Sequence, residues 1–117
     1  MQKFKKLIKE MFSKKRTLEN INNISYIKMQ EILKEDNNTI ILDVRSPQEY
    51  NEGHITGAIN IPEYEILTKA SNILKDKDTK IIVYCASGSR SKKTIKILQK
   101  IGFLNLYNLE NGIDEIN

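Results

Sequence analysis

The single cysteine of the chain, Cys85, closes the run Ile81-Ile82-Val83-Tyr84 and opens a loop of small and polar residues, Ala86-Ser87-Gly88-Ser89-Arg90-Ser91. A thiol placed there is a candidate nucleophile, because Ser-Gly-Ser-Arg is not the composition of a core and a helix follows at once. Lys92 to Ile101 carries Ile95, Leu98 and Ile101 at helical spacing; Ser91 is of a capping type, and Gly102 stands where a left-handed C-terminal residue belongs. Small residues ahead of a helix let consecutive backbone N–H groups turn inward, and the helix N-terminus adds partial positive charge. Such a loop can hold an anion and favours thiolate over thiol. Read from these residues alone, the anion is open between phosphate, arsenate and a sulfur species.

The elements that must position this loop follow from the apolar pattern. Ile24-Ser25-Tyr26 reads as a short edge strand and Met29 to Leu33 as one or two helical turns. Thr39 to Val44 is a continuous apolar run of strand length, the pattern of a strand covered on both faces. Arg45-Ser46-Pro47 breaks it, and Pro47 suits the first turn of a helix that runs through Gln48, Glu49 and Tyr50 to Gly53. Ala58 to Ile61 is a third strand, Glu63 to Leu74 a helix with Ile66, Ala70, Ile73 and Leu74 on one side, and Leu104 to Leu109 a last strand before a turn at Asn111-Gly112. Strands alternating with helices predict an α/β fold, a mainly parallel five-stranded sheet with helices on both faces, with ligands beyond the C-terminal strand ends. Cys85 sits at such an end. Asp43, Arg45 and Glu49 follow another and read as a supporting polar network, with Arg45 the second candidate for lining the mouth; His54 reads as a hydrogen-bonded turn residue.

Composition limits what the chain can be. At 117 residues, 39% hydrophobic and 29% charged, it has the size and balance of one globular domain. One Cys and one His exclude an internal disulfide framework and cannot alone supply a Cys/His metal site. A reducing compartment is the default, no apolar run reaches the roughly 20 residues of a membrane span, and the N-terminus lacks a secretory core, so a cytoplasmic location is expected. The net charge of +4 is concentrated in residues 1–16, which hold seven basic residues and Glu10, leaving twelve basic and fourteen acidic residues elsewhere. Phe4, Leu7, Ile8, Met11 and Phe12 recur there at helical spacing. Residues 1–20 are therefore expected to form a basic amphipathic helix and linker, with Thr17 to Asn23 polar, and residues 21–117 the domain. That helix can pack on its own domain, dock on a partner or lie peripherally on an anionic membrane. Basic patches interleaved with aromatics are not seen beyond it, so nucleic acid is not an expected partner.

Three segments carry a resemblance. Leu42-Asp43-Val44-Arg45 with Glu49-Tyr50, then Gly53-His54-Ile55-Thr56-Gly57-Ala58-Ile59-Asn60-Ile61-Pro62, then Cys85 to Ser91 are similar, in order and spacing, to the rhodanese (sulfurtransferase) domain. The resemblance implies an enzyme whose cysteine takes a sulfane sulfur from thiosulfate or a persulfide and passes it to a thiol, cyanide or protein acceptor, with no cofactor and no metal. It implies Cys85 as nucleophile, the Ala86–Ser91 backbone as anion cradle, and Arg90 as anion attraction and loop support. Arg90 stands five positions after Cys85, whereas phosphatases and arsenate reductases of similar fold place it six after, so the shorter loop favours sulfur. Two departures stand out. Ala86 occupies a position where many such domains carry Arg, and Asn111-Gly112 replaces a Gly-Gly that Trp usually follows. A persulfide carrier with little thiosulfate turnover is the alternative.

Overall fold

The computed structural model describes residues 21–116; the expected leader helix, most of the linker and the division at residue 20 lie outside them. Five parallel strands form one sheet: β1 (Asn23–Ile24), β2 (Ile40–Asp43), β3 (Ile59–Asn60), β4 (Ile81–Tyr84) and β5 (Leu106–Leu109), in the order β1-β5-β4-β2-β3. The connections carry α1 (Tyr26–Glu35), α2 (Pro47–Glu52), α3 (Ile66–Leu74) and α4 (Ser89–Lys100). Among the described residues no helix is long and apolar enough to cross a membrane.

Strand alternation divides the core in two. Ile81, Val83 and Cys85 point to one face, where they pack with Leu42, Ile66, Ala70, Ile95 and Leu98 under α3 and α4. Ile82 and Tyr84 point to the other, with Met29 and Ile32 of α1 and Ile113 beyond β5. Every residue of β4 is thus buried, as its unbroken apolar run requires of a central strand. From β2 the chain turns toward β3, and from β4 toward β5 on the other side. The C-terminal ends of β2 and β4 therefore flank the crevice where open parallel sheets place ligands.

Several local readings change for physical reasons. Helix α1 begins at Tyr26, because the Ser25 hydroxyl caps it by accepting the Lys28 N–H at 3.1 Å, and this shortens β1. Asn22 and Asn23 are not linker: the Asn108 N–H donates to the Asn22 carbonyl at 2.8 Å and Asn23 pairs with Asn108 in the sheet. The Glu63–Leu74 helix is a 3-10 turn over Glu63–Glu65 followed by α3, and Ile73 is 48% exposed, since Ile66, Ala70 and Leu74 already take the inward i, i+4, i+8 row. Ser91 does not cap α4. Gly88, at φ 101, turns the chain into the helix three residues earlier and Ser91 becomes a buried residue of its first turn.

Candidate functional site

The Cys85 thiol lies fully buried at the N-terminus of α4. The Gly88 N–H donates to Sγ at 3.1 Å and the Ser91 N–H at 3.4 Å, while the Ser91 hydroxyl stands 3.5 Å away. Burial pushes the thiol up, but the Ser91 hydroxyl and the N–H groups of Ser91, Gly88 and Ser87 outweigh it and hold the thiol below its ordinary range. Of the inward N–H groups expected of Ala86 to Ser91, those of Gly88 and Ser91 reach Sγ within hydrogen-bond distance. An oriented set of donors around one sulfur can stabilise a thiolate, or an anion built on it, without a base.

Arg90 does not face an open anion site. Its Nη1 and Nη2 donate to Glu49 Oε1 and Oε2 at 2.7 and 2.8 Å, a bidentate pair that joins α4 to α2. Arg90 holds Glu49 down at about 2, and Glu49 raises Arg90 above its usual range. Glu49 also completes a capping box with Ser46 at the start of α2. Glu49 therefore belongs with the cysteine loop and does not join Asp43 and Arg45.

Asp43 and Arg45 form their own network, with partners the sequence reading had not included. Asp43, wholly buried, accepts Arg45 Nη2 at 2.8 Å and the Tyr84 hydroxyl at 2.7 Å, and Arg45 Nη2 also donates to the Gly53 carbonyl at 2.6 Å. Burial and the bond to Asp43 push the Tyr84 phenol well above its usual range. Tyr84 and Cys85, adjacent in the chain, thus serve opposite faces. His54 is hydrogen-bonded as expected, with Nδ1 2.8 Å from the Tyr50 carbonyl and its ring stacked on Tyr50, but it lies between α2 and the turn at Thr56–Gly57 and not in the turn itself.

The segment after β5 closes the base of the loop. The Ile113 N–H donates to the Cys85 carbonyl and the Asp114 N–H to the Ala86 carbonyl, both at 3.0 Å. This requires Gly112: at φ 63, a Cβ there would lie 2.2 Å from the Ala86 oxygen. Gly88 is equally confined, with a Cβ position 2.0 Å from the Glu110 oxygen. Asn108, buried on β5, accepts the Ser91 hydroxyl. The sequence signals for these supports were an Asn in an otherwise apolar strand and the Asn-Gly pair after it. Beside Ala86 opens a cavity of about 410 Å³, whose lining includes Arg45, Glu49, Glu52, His54 and Asp114.

Comparison with known proteins places this geometry in context. The protein-family model described as Rhodanese-like domain matches residues 27–117. A protein named sulfurtransferase from Allochromatium vinosum is 31% identical over 93 residues, 80% of this chain and 85% of that protein. The tRNA uridine(34) hydroxylase of Sodalis glossinidius is 38% identical over 96 residues, 77% of this chain. The chain spans only 27% of that hydroxylase's length. Among solved structures, a rhodanese-related protein from Thermoplasma volcanium superposes with a TM-score of 0.69 at 36% identity, covering 80% of this chain and 88% of that one.

Proposed function

The chain belongs to the rhodanese-like domain family, and from that premise we propose that it is a sulfurtransferase working through a persulfide on Cys85. The observation that carries the reading is the donor set on Sγ: two N–H groups at 3.1 and 3.4 Å and a hydroxyl at 3.5 Å, at the C-terminal end of the central strand. In the loading step the Cys85 thiolate attacks the outer sulfur of the donor, forming a new S–S bond. With thiosulfate the old S–S bond breaks and sulfite leaves with its electron pair; with a persulfide, a thiolate leaves. The loop N–H groups hold the sulfur anion that results. An acceptor thiolate then attacks the outer sulfur, and the electron pair of the broken bond returns to Sγ.

Ala86 and the closed Glu49–Arg90 pair favour a second reading, a persulfide carrier with little turnover on thiosulfate, because the loop then offers a dianion no unpaired guanidinium. One experiment tests the main reading. The protein incubated with thiosulfate, or with a small-molecule persulfide, is expected to gain the mass of one sulfur atom, and Cys85→Ser is expected to gain none. Labelling by persulfide alone selects the carrier reading. Labelling by neither rejects both.

A further inference from the structure

The cavity beside Ala86 has a charge arrangement that bears on which sulfur compounds it takes. Its guanidinium, Arg45, is engaged by Asp43 and the Gly53 carbonyl, and the carboxylate of Glu49 is matched by Arg90. His54 turns Nδ1 to the Tyr50 carbonyl and lies flat on the Tyr50 ring. The remaining charged groups on its wall are Glu52 and Asp114, both exposed and both without a cation in salt-bridge distance among the described residues. Glu52 meets only the neutral amide of Gln48, at 3.2 Å. Ile55, Ile113 and Ile116 supply apolar lining to the same cavity. A space with an apolar lining and two uncompensated carboxylates repels sulfonate-like groups and attracts ammonium.

We infer that this cavity is the mouth of the Cys85 site and that Glu52 and Asp114 make it select sulfur compounds bearing an ammonium group, aminothiols or their persulfides, over those bearing a sulfonate. This rests on the sulfurtransferase reading above. In the step concerned, the acceptor thiolate forms an S–S bond to the outer sulfur of the Cys85 persulfide, and the Sγ–S bond breaks. Its electron pair returns to Sγ as thiolate, and the outer sulfur leaves on the acceptor as a persulfide anion, so two anions enter the step and two leave it.

Three acceptors of one two-carbon skeleton separate charge from size: cysteamine, 2-mercaptoethanol and 2-mercaptoethanesulfonate. The full chain is loaded with sulfur on Cys85, mixed with each acceptor at equal thiolate concentration, and followed by intact mass as the sulfur is lost. Cysteamine is expected to discharge it about tenfold faster than 2-mercaptoethanesulfonate, with 2-mercaptoethanol between them. The ratio should fall toward one in the Glu52→Gln/Asp114→Asn double variant and invert in Glu52→Lys/Asp114→Lys. Equal rates for the three thiols, or a ratio unchanged in the double variants, overturn the inference while leaving the sulfurtransferase reading in place. A Cys85 that cannot be loaded by any donor overturns that reading, and this inference with it.

Discussion

Asn108 Oδ1 accepts the Ser91 hydroxyl proton across 2.5 Å, while the oxygen of that hydroxyl stands 3.5 Å from Cys85 Sγ. A hydroxyl has one proton to give, and Asn108 is turned to receive it because its own Nδ2 donates to Asn23 Oδ1 at 3.0 Å. Asn108 and Sγ therefore compete for Ser91. Ser91→Ala removes a donor from the thiolate and should slow iodoacetamide alkylation of Cys85 at pH 7 about fivefold to tenfold. Asn108→Leu leaves the proton to be shared between the Gly88 carbonyl, 3.0 Å from the hydroxyl, and Sγ, and should move the pH midpoint of alkylation down by less than Ser91→Ala moves it up. A pH series of alkylation rates on the two variants reads both signs.

The Glu49–Arg90 pair makes stability depend on acid. Glu49 titrates near 4.5 in the unfolded chain and at about 2 in the folded one, so its contribution is complete above 4.5, declines as pH falls through that window, and is gone below about 2. With side chains 34% and 33% exposed, solvent screening limits the pair to about 1 kcal/mol. Urea unfolding should show Glu49→Gln less stable by about that amount at pH 7, with the gap to the parent closing toward pH 2.

Gly112→Ala should unfold the protein more readily by about 2 kcal/mol or more, since its Cβ meets backbone oxygens of Cys85 and Ala86 that accept the Ile113 and Asp114 N–H groups. Gly57→Ala is the control. It also has positive φ, 85, but nothing lies within 4 Å of its Cβ position, so only the backbone cost of about 1 kcal/mol is expected. Thermal melts of the pair separate steric conflict from conformational preference.

Asp43→Ala should cost about 3–5 kcal/mol, because it leaves the buried Arg45 guanidinium and the Tyr84 hydroxyl without their shared partner. Tyr84→Phe removes one bond and should cost about 1 kcal/mol. Denaturant midpoints measure both.

For loading, Ala86→Arg should raise the second-order rate constant with thiosulfate about tenfold, by adding a cation beside Cys85 that offsets the Glu52 and Asp114 carboxylates of the same cavity. A persulfide donor without net charge should gain far less. Mass spectrometry of Cys85 over time gives both rates.

Much of the fold was legible because its elements announce themselves by run length. Thr39 to Val44 reads as a strand covered on both faces and Ile81 to Tyr84 as the apolar strand that delivers Cys85, and the two lie side by side in the sheet centre. Cys85 was legible because its small polar flanks contradict its burial after an apolar strand. Partners distant in sequence were less so. Glu49 reads as a neighbour of Asp43 and Arg45 by spacing, yet the turn of α2 carries it to Arg90, 41 positions on. Arg90 then reads as free for an anion when its charge is already answered. Asn108 and Gly112 stand out locally as an Asn in an apolar strand and the Gly of an Asn-Gly pair, but the partners they meet are set by the β5–β4 pairing, which no local pattern encodes.

The grip of Ile113 and Asp114 on the carbonyls of Cys85 and Ala86 sets an order of events during synthesis. Strand β4, its loop and α4 precede β5 in the chain, but β5 brings Asn108 to Ser91 and the segment behind it anchors the loop from below. Because domains acquire such long-range pairings only once both partners have emerged, the nascent chain carries a less organised thiol until about residue 114 is free. The ordering of the cysteine loop is thus tied to completion of the sheet, so that incomplete chains carry the donors of Gly88 and Ser91 without the contacts from Asn108, Ile113 and Asp114 that hold them in place.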